Sequence, residues 1–130
     1  MKRRTWFSLI AVVLGATRVK AAATGAKPIV LHCDLAVDPA KEKEFVAYFE
    51  NTFRPVARKH TGYIDLKLLK LNTAVRGGVP AGGRYRFSLA YRSEELRQKW
   101  IASDDHVKNW PPLENMLTDK NFGILVYDVY

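Results

Sequence analysis

The sequence has one cysteine, Cys33, and three histidines among its 130 residues. A single cysteine excludes an intrachain disulfide, so even in an oxidising compartment the fold must hold by packing. His32, His60 and His106 show no metal-ligand spacing, which argues against a structural zinc or iron site. No apolar run reaches the roughly 20 residues that a helix needs to cross a bilayer. Internal repeats are absent. The glycine-rich stretch Gly77-Gly78-Val79-Pro80-Ala81-Gly82-Gly83 joins two strand patterns and opens no helix, so both the Walker and the dinucleotide fingerprints fail.

Acidic residues are missing from residues 1–23, and this absence changes the charge argument. The segment reads as an export signal. Lys2, Arg3 and Arg4 form its basic start, an apolar run over residues 6–16 follows, and Ala21-Ala22-Ala23 supplies small residues for cleavage. Arg3-Arg4-Thr5-Trp6-Phe7 is also loosely similar to a twin-arginine signal, so the export route stays open between the two. The expected location is periplasmic or secreted, with no membrane association after cleavage. The whole chain carries a net charge of +8, but the segment accounts for five of its 21 basic residues. The remaining 16 stand against 13 acidic ones, a net charge of +3. No basic cluster interleaved with exposed aromatics is left, so nucleic acid is not an expected partner.

What remains, residues 28–130, reads as one domain. Residues 28–37 alternate as a strand, with Ile29, Leu31, Cys33 and Leu35 on one face and Val30, His32, Asp34 and Ala36 on the other. The parity of Cys33 makes it a buried hydrophobe rather than a reactive thiol. Asp38-Pro39 is a helix start, a capping side chain followed by proline at the first position. Phe45, Phe49, Phe53 and Val56 then give an apolar stripe to about His60, with Pro55 kinking the helix or starting a new turn. Gly62 closes that helix and His60 caps its negative end. Residues 63–71 form a second strand with Ile64, Leu66 and Leu68 inward. In Arg84–Tyr91 of the third strand, Tyr85, Phe87, Leu89 and Tyr91 alternate with polar or small residues. Ser93, followed by Glu94 and Glu95, caps a second helix, which Pro111-Pro112 should break in two. Residues 122–130 read as a last strand. The order β-α-β-β-α-β predicts a ferredoxin-like α+β domain: a four-stranded antiparallel sheet with both helices on one face. The other sheet face is expected to meet water or a second copy through a ladder of charge pairs, or to hold a polar pocket around His32 and Asp34.

The candidate reactive residues lie mostly on the second helix. His106 is the best base, since an unperturbed imidazole has a pKa of about 6.5. Trp100, Trp110 and Tyr85 could form flat walls around a planar molecule, and His32 is a second base or a binding residue. Trp100 lies four residues from Leu96, a spacing that describes core packing equally well, and His106 could simply cap a surface helix.

The order and spacing of these motifs resemble the antibiotic biosynthesis monooxygenase domain, in the dimeric α/β-barrel superfamily. The resemblance rests on the first strand with Asp38-Pro39, the turn His60-Thr61-Gly62-Tyr63, and the run Tyr91-Arg92-Ser93-Glu94-Glu95, Trp100, Ser103, His106. It covers residues 29–130. It implies a homodimer whose two sheets close into a barrel, with a pocket in each subunit. It also implies a monooxygenase without metal, flavin or other cofactor, taking molecular oxygen as co-substrate and a small quinol, phenol or polyketide-like aromatic as substrate. His106 and Trp100 would be its catalytic residues, and Trp110, Tyr85 and His32 would bind the substrate. This superfamily hosts unrelated functions, so a non-catalytic dimeric module binding a small apolar ligand is the alternative. A haem-degrading branch is a further one. There Trp100 matches a tryptophan, but the iron-ligand position falls at Trp110 and His106 lies one helical turn early.

Overall fold

The computed structural model describes residues 27–79 and 84–130. The expected export segment and the last part of the glycine-rich connection, residues 80–83, lie outside the described residues. Among the described residues five strands form one antiparallel sheet: β1 (Ile29–Val37), β2 (Tyr63–Lys70), β3 (Tyr85–Tyr91), β4 (Leu117–Asp119) and β5 (Leu125–Asp128). The order is β2-β3-β1, and β4 and β5 share the remaining edge of β1. The final strand expected over residues 122–130 is thus shorter, with an additional short strand before it. β4 pairs with Ala36 and Val37, and β5 with Ile29 to His32. Residues 33–35 of β1 therefore have no strand beside them on that edge among the described residues.

Alternation sets the two faces. Ile29, Leu31, Cys33 and Leu35 of β1 and Tyr85, Phe87, Leu89 and Tyr91 of β3 are all buried beneath the helices. In the β1–β3 register Ile29 stands opposite Tyr91 and Leu35 opposite Tyr85, so like faces meet like. β2 departs from the expected pattern. A bulge between Tyr63 and Asp65 inserts Ile64 as an extra residue, which turns it outward to 49 % exposure. Tyr63, Leu66 and Leu68 face the core instead.

The first helical segment is a chain of pieces. Asp38 accepts a hydrogen bond from the Ala40 amide (2.9 Å) and starts a 3-10 turn, Pro39–Lys41. α1 (Glu42–Tyr48) follows, then a wide π turn over Phe49–Phe53 and α2 (Arg54–Ala57). Pro55 cannot donate an interior bond, and the turn before it is the widened one, as a proline-induced irregularity requires. Phe45, Phe49 and Phe53 are nonetheless almost fully buried. The helix stops at Ala57, earlier than expected. His60 lies beyond it in the turn and does not cap its end through the side chain. Gly62, also beyond the helix end, adopts φ +98°, and a Cβ there would lie 2.8 Å from Cβ of Leu96. Both facts call for glycine at this turn.

The second helical segment is α3 (Glu94–Ala102) and α4 (Asp104–Glu114). Ser93 caps α3 by accepting from the Leu96 amide (3.2 Å). The break between the two helices falls at Ser103, not at the prolines. Ser103 Oγ donates to the Trp100 carbonyl (2.6 Å) and accepts from the His106 amide (3.2 Å), ending one helix and starting the next. Pro111 and Pro112 stay inside α4. The carbonyls they leave without donors belong to Val107 and Lys108, which are exposed and can bond to water. Among the described residues no helix is long and apolar enough to cross a membrane.

Candidate functional site

A cavity of about 490 Å³ lies between α3, α4 and the covered face of the sheet. It sits beside the stretch of β1 that has no neighbouring strand. Leu31 and Cys33 of β1 and Phe87 and Leu89 of β3 form its floor, while Trp100, His106 and Trp110 form the helical wall. Ile101 and Ile124, both exposed, mark its mouth.

The three helical residues meet through Phe53, which is fully buried at their centre. Its ring lies 5.9 Å from Trp100, 6.4 Å from His106 and 5.9 Å from Trp110, each near edge-on. His106 and Trp110 are one helical turn apart and stack nearly parallel, with centroids 5.9 Å apart and planes 8° apart. Trp100 meets the His106 ring edge-on at 5.1 Å. Each indole has a different freedom: Trp110 donates its Nε1–H to Glu114 (2.7 Å), while Trp100 is held by packing at 2 % exposure.

His106 is the titratable imidazole of this wall. Burial pushes its pKa below the ordinary 6.5, and the nearby Arg97 guanidinium pushes it the same way. At neutral pH the ring is therefore uncharged and has a lone pair with which to take a proton. Cys33, by contrast, is unsuited to nucleophilic work. Burial first, and then the Asp34 charge, push its thiol up to about 12.

Behind the wall, His60 Nε2 lies 2.8 Å from Asp105 Oδ2, and the His60 ring packs on Trp100 at 4.7 Å. This pair ties the start of α4 to the turn after α2. The role expected for His60, a helix cap, is replaced by this contact. Asn109 secures the same helix from within: its side chain donates to the Asp105 carbonyl (2.8 Å), and its backbone carbonyl accepts from Tyr48 (3.0 Å).

Two residues expected at the site lie elsewhere. Tyr85 is buried on the covered face but away from this cavity, where its hydroxyl donates to Glu42 (2.6 Å). Burial and that carboxylate raise its pKa to about 12. His32 points to the opposite face of the sheet, against the Tyr127 ring at 5.2 Å. There it neighbours the Asp34–Arg86 pair, joined by two bonds of 2.8 and 3.1 Å. The alternation that puts Cys33 on the cavity floor necessarily sends His32 and Asp34 outward. Conversely, sequence reasoning did not single out Arg97, Phe53 or Cys33 for this site. Arg97 had a legible signal, since it lies three residues before Trp100 and so on its side of α3. Among the described residues no group of three or more His, Cys, Asp or Glu side chains could hold a metal ion.

No family model and no curated protein matches the sequence. Solved structures do match. A candidate antibiotic biosynthesis monooxygenase from Caulobacter crescentus is 18 % identical, with a TM-score of 0.63 over 81 % of this chain and 92 % of that one. The chain shares its ferredoxin-like α+β fold. A variant of SnoaB, a cofactor-independent oxygenase from Streptomyces nogalater, shares this fold at 13 % identity and a TM-score of 0.61, over 80 % of this chain and 94 % of that one. So does the hydroxynitrile lyase of Passiflora edulis, at 8 % identity and a TM-score of 0.63, over 81 % and 95 %. One backbone plan thus hosts an oxygenase and a lyase, and at these identities the likeness carries the fold and not the chemistry.

Proposed function

We propose that this protein is a cofactor-independent monooxygenase acting on a small phenol or quinol, working as a homodimer in an exported location. The observation that carries the reading is a half-buried imidazole, His106, lining a mostly apolar cavity between Trp100 and Trp110. His106 takes the phenolic proton, and the flat indoles hold the ring of the substrate away from water. The phenolate passes one electron to dioxygen. The resulting radical pair joins through a carbon–oxygen bond, and a proton on the distal oxygen completes the hydroperoxide. Loss of water, with the hydrogen on the oxygenated carbon leaving as a proton, gives the quinone. One dioxygen thus yields one carbonyl oxygen and one water. The presence of oxygenase SnoaB among proteins of this fold supports the reading.

The second reading is a dimeric module that binds a small apolar ligand without turning it over. The same cavity serves it, and the fold is shared by proteins of other chemistry. Oxygen consumption by the purified protein with a panel of quinols and naphthols separates the two. His106→Gln is expected to lower uptake by about 10²–10⁴-fold, the usual contribution of a positioned base. Unchanged uptake in the variant removes His106 as the base. Ligand binding without uptake from any substrate in the panel favours the binding module.

A further inference from the structure

The cavity is lopsided in charge. Among the described residues no carboxylate side chain lines it, and Arg97 contributes the one permanently charged group of its wall. The Arg97 side chain is only 14 % exposed, so its charge is partly withdrawn from water. Glu94 holds it from behind and is not part of the wall. Arg97 Nε donates to Glu94 Oε1 and Nη2 to Oε2, both at 2.7 Å. This two-point grip fixes the plane of the guanidinium, and three of its five N–H groups meet no protein acceptor among the described residues. The guanidinium residue lines the same cavity as His106 and Cys33. The remaining surface is apolar apart from His106 and Gln98, with Phe87, Trp100 and Trp110 as its aromatic part.

We infer that the cavity selects a flat apolar molecule bearing one oxyanion, a carboxylate or a phenolate, which Arg97 binds while Glu94 positions the guanidinium. The inference deepens the proposed oxygenase reading by naming the charge of its substrate, but it concerns binding and needs no turnover. A cation withdrawn into an apolar wall needs a partner for each of its donors, and a fixed fork of donors is matched by an oxyanion. Glu94 supplies part of that partner and leaves the cavity-facing side of the charge to the ligand.

Calorimetric titration with 2-naphthoate, 2-naphthol and 2-naphthamide tests this, since the three share one flat body. The naphthoate should bind about tenfold to a hundredfold more tightly than the amide, as expected for a charge-assisted hydrogen bond. If the natural anion is a phenolate, 2-naphthol shows the preference instead and releases a proton on binding, seen as a buffer-dependent heat. Arg97→Met should abolish either preference while leaving amide affinity within about threefold. Should that variant fail to fold, Arg97→Lys keeps the charge without the fork and should retain a reduced preference. Equal binding of all three probes, no binding of any, or a preference that survives Arg97→Met overturns the inference. A preference for the anion without oxygen uptake defeats the oxygenase reading alone. Uptake with neutral quinols and no preference for an anion defeats this inference alone.

Discussion

His106 and His32 lie on opposite sides of the same sheet and titrate in the same direction. Each has its pKa lowered first by burial and second by a guanidinium, Arg97 for His106 and Arg86 for His32. Their surroundings differ. His106 is walled by Phe53, Trp100 and Trp110 around a cavity, whereas His32 rests on one exposed tyrosine ring beside a salt bridge. Asp34 also pulls the His32 pKa partly back up, a counterweight not present among the influences on His106. A depressed imidazole pKa is therefore not what marks a site here. The enclosure is, because it gives a flat molecule somewhere to bind out of water.

The largest break in that comparison should come from Trp100→Ala. Trp100 is among the largest fully packed side chains, and truncating such a residue costs about 3–5 kcal/mol. His32→Ala, on the face left open within one subunit and outside the packed core, should cost less than that. Urea unfolding of both variants measures the difference. A loss at His32 equal to that at Trp100 would mean the open face is as tightly built as the covered one.

The sheet was legible in the sequence because period-two alternation is regular and its apolar parity is buried from Ile29 to Leu35 in β1 and from Tyr85 to Tyr91 in β3. The same parity held the answer for His32, which shares a face with Asp34 and not with Cys33. Ile64 was not legible, since a bulge breaks the count by one residue and leaves no signature in composition. The helix break fell at Ser103 rather than at Pro111-Pro112 because serine can cap in both directions, while the prolines cost only bonds on a wet side of the helix. Trp100, His106 and Trp110 were brought together as expected. Arg97 was missed because its charge reads as surface until the cavity beside it is seen.

Gly62 sharpens the comparison from the edge of the covered side. Alanine there must keep φ +98° and place its Cβ 2.8 Å from Leu96, so the strand-entry turn or α3 has to give way. Gly62→Ala should cost about 1–3 kcal/mol, the range for a side chain forced into the left-handed region. Denaturant melting checks it. An Ala variant as stable as the parent would show that the helical layer can slide on the sheet.

The smallest effects lie in the pH dependence, and they separate the two faces by window. For both histidines the folded pKa is below the unfolded 6.5, so the unfolded chain binds more protons as pH falls. Stability should therefore drop as pH goes below 6.5, until the folded values are passed. Asp34 behaves differently: the hydrogen bond from Arg86 holds its folded pKa below 3.8. Its contribution is complete above 3.8 and fades as pH falls through the folded value. With the pair partly exposed, that contribution should amount to about 0.2–1 kcal/mol. Stability curves of His106→Gln, His32→Gln and Asp34→Asn then assign each window. The first should flatten more in His106→Gln than in His32→Gln, because Asp34 opposes the shift only at His32. Equal flattening would show that the wall around His106 admits water as freely as the open face does.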